Sequence, residues 1–281
     1  MRIARTMVDG GPDFIVSDDS GKWTSLTSLG LSYPDTRALI EDINNVHNRL
    51  AGTVPTLEVA QEELLNPVVR PGKILAVGLN YASHAQETGA VPPEQPLIFA
   101  KYSSSLNGPF ADVVIGPRVT DQADYEAELA VIIGKPAKRV SPEDAAAHVF
   151  AYAVANDVSS RDAQKSDGQF SRSKSADTFC PIGPWLTTAE EIPDPYDLSV
   201  TSTVNGEARQ TGSTADMIFN ISELIFYLAT TITLETGDVI LTGTPPGVGL
   251  GFKPPRFLQP GDVVECGITG LGTIRNRFVV D

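Results

Sequence analysis

The chain has 281 residues, with 35 acidic against 21 basic side chains and a formal net charge of -14. With 41% hydrophobic and 20% charged residues, it is long enough to bury a sizeable core and too apolar to stay disordered. The acidic balance speaks against a nucleic-acid or anionic-membrane partner, since both reward a basic face, but not against a small anionic substrate in a locally cationic pocket. Two cysteines, Cys180 and Cys266, make neither a disulfide framework nor a zinc cluster and read as buried apolar groups. The N-terminal MRIARTMVDGG lacks an apolar stretch of signal-peptide length, and no run approaches the roughly 18 apolar residues of a membrane span. The expectation is a soluble, cytoplasmic protein.

In chain order, MRIARTMVDGGPDFIVSDDSGKWTSL reads as short strands joined by Gly-Asp turns. Leu39, Ile40, Ile43, Val46 and Leu50 give Thr36 to Leu50 the spacing of one amphipathic helix. NPVVRPG (66–72) carries two prolines and a glycine, which predicts a boundary between a small N-terminal α+β domain (1–68) and a larger one (69–281). KILAVGLNY, PLIFAKYSSSLNGP, DYEAELAVIIG and AYAVANDVSSRD each contain a buried strand. SPEDAAAHVF, with its Ser cap, predicts a helix start. Residues 164–177 are polar and read as a loop, Asn205-Gly206 marks a two-residue hairpin, and Asn220 to Thr231 is helical. Strands dominate without βαβ alternation, so the fold class is α+β, mainly β.

DYEAELAVIIG carries the sharpest chemical signal. Successive strand side chains point to opposite faces, so Glu126 and Glu128 share one face. Two carboxylates side by side in a core-like strand repel each other, and a hard divalent ion relieves both the repulsion and the burial cost. The plain alternative is an edge strand with a solvated acidic face. Asp157, at the end of the apolar AYAVAN strand, can complete a three-carboxylate site suited to Mg²⁺ or Mn²⁺ rather than zinc, although alone it reads as a turn or cap residue. His84 and Glu87 lie three apart in NYASHAQETG, so in a short lid-like helix they share a face and form a candidate water-activating pair. His47 and His148 read as surface or packing residues. Of the basic groups in RDAQKSDGQFSRSKSADTF, Lys165 and Arg172 read as solvated, while Lys174 is placed to face developing enolate charge. The Thr244 hydroxyl and backbone N–H groups of LTGTPPGVG make a carboxylate cradle or simply a tight turn.

Taken in order, GLNYASHAQETG, the strand leading to NGP, DYEAELAVIIGK, ANDVSSRDAQ, SKSADTFCPIGPW, VNGE and LTGTPPGVG resemble the fumarylacetoacetate hydrolase family, in particular its acylpyruvase and 2,4-diketo-acid hydrolase types, over roughly residues 72 to 280. The resemblance implies the family's mixed β-sandwich roll, a homodimer, and Mg²⁺ or Mn²⁺ on Glu126, Glu128 and Asp157. It implies His84 and Glu87 as the water-activating dyad, Lys174 and Gln164 near the substrate oxygens, and Arg161 and Thr244 at the substrate carboxylate. The activity it implies is C–C bond hydrolysis in a β-diketo acid, giving a 2-oxo acid such as pyruvate and a carboxylic acid. Oxaloacetate decarboxylation and hydroxymuconate-type isomerisation would share the enolate chemistry, and a non-catalytic 2-oxo-acid binding protein would have no need of His84 with Glu87. Ala176 stands where the family has an aromatic and Phe170 where it has Trp, which puts the shape of the pocket in doubt.

Overall fold

A computed structural model describes residues 1–17 and 21–280. Its strands follow the alternation of the sequence. The N-terminal hairpin pairs β1 (Arg2–Val8) with β2 (Gly11–Ser17) around Asp9-Gly10, and β3 (Thr24–Ser25) adds to β2. The next expected turn, in DDSG (18–21), falls mostly on residues 18–20, outside the described residues. The helix expected over Thr36 to Leu50 is two helices, α1 (Thr36–Glu41) and α2 (Ile43–Leu50). They part at Asp42, whose carboxylate accepts hydrogen bonds from the Tyr33 hydroxyl and Asn45. Leu39, Ile40 and Val46 still reach one core across the break.

The next segment holds β4 (Ile74–Gly78), α3 (Ala82–Glu87), β5 (Leu97–Lys101), β6 (Leu106–Asn107) and β7 (Val113–Ile115). It is followed by β8 (Ala123–Asp124), β9 (Ala127–Ile133), β10 (Val149–Asn156) and β11 (Ser159–Ser160). SPEDAAAHVF does not become an α-helix. Ser141 and Asp144 form the expected cap pair, but only a 3₁₀ turn, Ala145–His148, follows, because the β-prone run from Val149 pairs with β9. The 164–177 loop also needs correction: α4 (Arg161–Asp167) occupies its first part and ends at a left-handed Gly168. That helix is polar almost throughout and so leaves no apolar periodicity to read.

The chain closes with β12 (Cys180–Thr188), β13 (Ser199–Val204), β14 (Glu207–Ser213), α5 (Ile221–Thr231), β15 (Val239–Leu241), β16 (Val263–Ile268) and β17 (Gly272–Val280). The Asn205-Gly206 turn and the helix from Asn220 stand as the sequence predicts, and the structure adds that Asn220 caps α5 with Glu223 closing a capping box. Among the described residues, the large sheet runs β3-β2-β1-β12-β10-β9-β15-β4-β5, with β6 beside β12, and a second sheet runs β14-β13-β16-β17-β7. Most pairs are antiparallel, while β15–β4, β12–β6 and β17–β7 are parallel. The expected 1–68 segment adds β1, β2 and β3 to the same large sheet through β1 and β12.

Both faces of the large sheet are covered. Leu129, Val131 and Ile133 of β9, with Tyr152 and Val154 of β10, pack with the second sheet and α5. Ala130 and Ile132, with Ala151, Ala153 and Ala155, pack with α1, α2 and the N-terminal strands. β9 is therefore a central strand buried on both faces, which removes the solvated-edge reading of Glu128 within it and of the buried Glu126 just before it. No helix among the described residues is long and apolar enough to cross a membrane.

Candidate active site

The site grows from the pairing of β9 with β10. Their register sets Ala155 opposite Glu128 and Asn156 opposite Ala127, and the Asp157 N–H donates to Glu126 O at 2.9 Å. Continuing this register sets Asp157 across from Glu126, and the period of two puts Glu128 on the same face. One carboxylate oxygen from each of Glu126, Glu128 and Asp157 lies within 4.8 Å of the others, and all three residues are buried. Gly243, just beyond β15, donates its N–H to Glu128 at 2.8 Å. It holds φ +97°, and a Cβ there would stand 2.7 Å from Asn80 Cβ, so this approach requires glycine.

Cations surround two of the three carboxylates. Lys174 Nζ donates to Glu126 and Asp157, each at 2.7 Å. Lys101, at the end of β5, donates to Asp157 at 2.6 Å and to the carbonyls of Lys174 and Phe179. Arg161 donates to Glu126 at 2.6 Å, to Asp124 at 2.9 Å and to Gln164 at 3.0 Å. Burial works against the charge on Glu126, yet Lys174 and Arg161 outweigh it and hold this carboxyl well below its usual range. Burial likewise opposes the charge on Lys174, but Asp157 and Glu126 hold its pKa above the ordinary lysine value. Glu128 forms no ion pair among the described residues. Burial, then Asp157 and Glu126, push its pKa well up. An all-oxygen set with one uncompensated carboxylate fits a hard divalent cation, and no His or Cys joins it.

These groups open onto a cavity of about 550 Å³, whose wall includes Glu126, Glu128, Lys174, Arg161, Gln164, Thr244 and His84. His84 sits on α3 with Nδ1 3.5 Å from Glu87, a separation beyond a formed hydrogen bond with good geometry, and Nδ1 has no other hydrogen-bond partner. Glu87 instead accepts the Gly247 N–H at 2.9 and 3.1 Å. Part of the backbone cradle expected in LTGTPPGVG is therefore filled by Glu87. The Thr244 hydroxyl donates to Ala127 O and accepts from Gln210, and each guanidinium nitrogen of Arg161 already donates to a protein oxygen. Phe170 lines the cavity and meets Phe99 edge-on at 5.5 Å, while Ala176 packs against the core and is not part of the cavity wall. Arg172 is exposed and paired with Asp167, and His148 is half-buried with Nδ1 3.1 Å from Lys135 O, in keeping with their surface or packing readings. Lys165 is exposed, as its context predicts, and stands at the cavity wall.

Sequence reasoning missed Lys101, Asp124 and Gln210. Lys101 closes the apolar run PLIFA, the same buried-charge signal that singled out Asp157. Asp124 extends the alternation of Glu126 and Glu128 by one step, a visible D-x-E-x-E pattern. Gln210 is buried and spends its amide on Ala127, Ser202, Thr244 and Pro245, and no motif marks it.

Known proteins are similar to this chain in sequence and in fold. A 2,4-didehydro-3-deoxy-L-rhamnonate hydrolase of Sphingomonas sp. is 49% identical over 213 residues, covering 75% of this chain and 74% of its own. A mitochondrial oxaloacetate tautomerase of Homo sapiens is 45% identical over 232 residues, covering 82% of this chain and 74% of its own. The structure of maleylpyruvate hydrolase from Sphingobium sp., in complex with manganese(II) and pyruvate, superposes with a TM-score of 0.81 at 31% identity, covering 100% of this chain and 99% of that one. The family model described as fumarylacetoacetate (FAA) hydrolase C-terminal matches residues 73–279, the span that holds every site residue above. With that match added to the carboxylate triad and the sheet that builds it, the chain belongs to the fumarylacetoacetate hydrolase family, whose members act as enzymes.

Proposed function

We propose that this enzyme hydrolyses a C–C bond in a β-diketo acid of the acylpyruvate or 2,4-diketo-3-deoxy sugar-acid type, with Mg²⁺ or Mn²⁺ held by Glu126, Glu128 and Asp157. The observation that carries this reading is one cavity lined by Glu126 and Glu128 of a buried all-oxygen triad, a lysine cation and a histidine. A divalent cation there supplies Lewis-acid polarisation of the 2-oxo-acid end. The chain's own groups do the rest. His84 takes a proton from water through Nε2, with Glu87 facing Nδ1. The resulting oxygen nucleophile attacks the distal carbonyl carbon. The C–C bond to the 2-oxo-acid half breaks, and its electron pair leaves as an enolate faced by the Lys174 ammonium. The proton held by His84 returns to that carbon. The products are one carboxylic acid and one 2-oxo acid. Gln164 donates to substrate through its amide nitrogen, since its oxygen is engaged by Arg161.

A second reading has a specific basis in the tautomerase relative. Keto–enol exchange of oxaloacetate needs the same cation and a base, but no attacking water. Decarboxylation of oxaloacetate and hydroxymuconate-type isomerisation belong to the same group of outcomes. Turnover of acetylpyruvate, fumarylpyruvate, a 2,4-diketo-3-deoxy sugar acid and oxaloacetate with Mn²⁺, Mg²⁺ or excess EDTA tests the proposal. We expect EDTA-sensitive release of a 2-oxo acid matched by its acid partner, with kcat falling about 10²–10⁴-fold in His84→Ala. Enol–keto exchange of oxaloacetate without hydrolysis of any diketo acid would overturn the hydrolase reading in favour of the tautomerase.

A further inference from the structure

Asp124 lies outside the metal-ligand triad, fully buried, at the end of β8. Its Oδ2 accepts from Arg161 Nε at 2.9 Å and from the Leu250 N–H at 3.0 Å. Its Oδ1 accepts from the Gly249 N–H at 2.7 Å and from its neighbour Tyr125 at 2.9 Å. These contacts lead in two directions. Arg161 carries on to Glu126 at 2.6 Å. Gly249 and Leu250 belong to the segment 247–251, which grips Glu87. Gly247 donates its N–H to both Glu87 oxygens, and a Cβ on Gly251 would overlap the Glu87 carboxyl. One buried carboxylate is therefore tied to a member of the triad on one side and to the seat of the His84 partner on the other.

We infer that Asp124 is a positioning residue coupling the two halves of the site. Through Arg161 it orients Glu126 toward the divalent cation. Through the Gly249 and Leu250 amides it fixes the loop that seats Glu87 beside His84. Partners behind metal ligands commonly govern metal affinity by 10- to 100-fold, because they set ligand direction and charge. Here the same side chain also orders the loop, so loss of its charge loosens both halves together. The catalytic consequence rests on the hydrolase reading, whereas the structural coupling does not.

Asp124→Asn keeps the side-chain size and removes the charge and one acceptor. In folded variant protein, Mn²⁺ affinity read by electron paramagnetic resonance should fall about 10- to 100-fold. Amide exchange should rise at Gly249 or Leu250, whichever faces the new NH2 group in place of an oxygen, and also at Gly247, whose acceptor is Glu87. At saturating Mn²⁺, kcat on the diketo acid should stay at least about tenfold below wild type, because the second effect does not depend on metal occupancy. Gly251→Ala disturbs Glu87 alone, so it should speed exchange at Gly247 and leave Mn²⁺ affinity unchanged. Wild-type Mn²⁺ affinity or an unchanged Gly247 amide in Asp124→Asn would overturn the coupling. So would an equal loss of Mn²⁺ affinity in Gly251→Ala. If Asp124→Asn does not fold, Asp124→Ser, which leaves room for water at the same donors, carries the same readouts. Absence of diketo-acid turnover in wild-type protein would count against the hydrolase reading, while the Mn²⁺ and exchange measurements would still decide the coupling.

Discussion

Lys101 ends β5 with its ammonium buried against Asp157 and two carbonyl oxygens. Removing one partner of a buried ion pair strands the other, which costs about 3–5 kcal/mol. Lys174 also faces Asp157, so Lys101→Met should fall near the lower end of that range in metal-free protein. The deficit should shrink when Mn²⁺ is added, and urea unfolding with and without the ion measures both values. Cys180 and Cys266 supply a second test. Burial pushes the Cys180 thiol up to about 12 and raises Cys266 as well. The thiolate is the reactive form, so both should resist iodoacetamide at pH 8 in folded protein and react once the chain is unfolded. At this scale much was visible in the sequence. Glu126, Glu128 and Asp157 were marked by charge in an apolar strand context, His84 by its spacing from Glu87, and Lys174 by its place in a Ser-rich segment just before a strand. Lys101 carried the same mark and was passed over because it belongs to no acidic or histidine pattern.

The elements differ in how well local sequence predicted them. The Asn205-Gly206 hairpin and the capped α5 depend on residues adjacent in the chain, and both form as read. The break at Asp42 and the loss of the helix after Ser141 depend on distant partners, Tyr33 in one case and the β9 pairing in the other. α4 is held at its start by Asp162. Partial burial works against that carboxylate, but hydrogen bonds from Ser160, Thr120, Asp121 and Ala163 outweigh it and hold the pKa at about 2 instead of 3.8. A depressed carboxylate contributes stability that is complete above its unfolded value and is lost as pH falls through its folded value. Asp162→Asn should therefore destabilise the protein at neutral pH and flatten its loss of stability between pH 4 and 2. Thermal melts across that window would show the opposite if the hydrogen bonds favoured the neutral acid.

For the whole molecule, the large sheet is the unit that matters. Its register brings three carboxylates at the adjoining ends of β9 and β10 into one cluster, and its far edge is built by the N-terminal strands. A ligand bound only by the folded state stabilises it by mass action, about 2.7 kcal/mol at a hundredfold excess over Kd. Saturating Mn²⁺ should raise the melting temperature by a few degrees, and Glu126→Ala, which removes a ligand, should abolish that rise. An equal rise in the variant would place the ion elsewhere. Residue types and their spacing alone determined the mainly β class, the acidic pair on one strand face and the His84–Glu87 spacing, because alternation and helical periodicity are local properties of the chain. Only the tertiary structure decided that β9 is central, that Asp157 stands across from Glu126, that Thr244 and Arg161 bond to the protein's own groups, and that Asp124 links the two halves of the site. Those facts depend on which distant strands pair and on how buried charge is shared among them, and no local pattern encodes either.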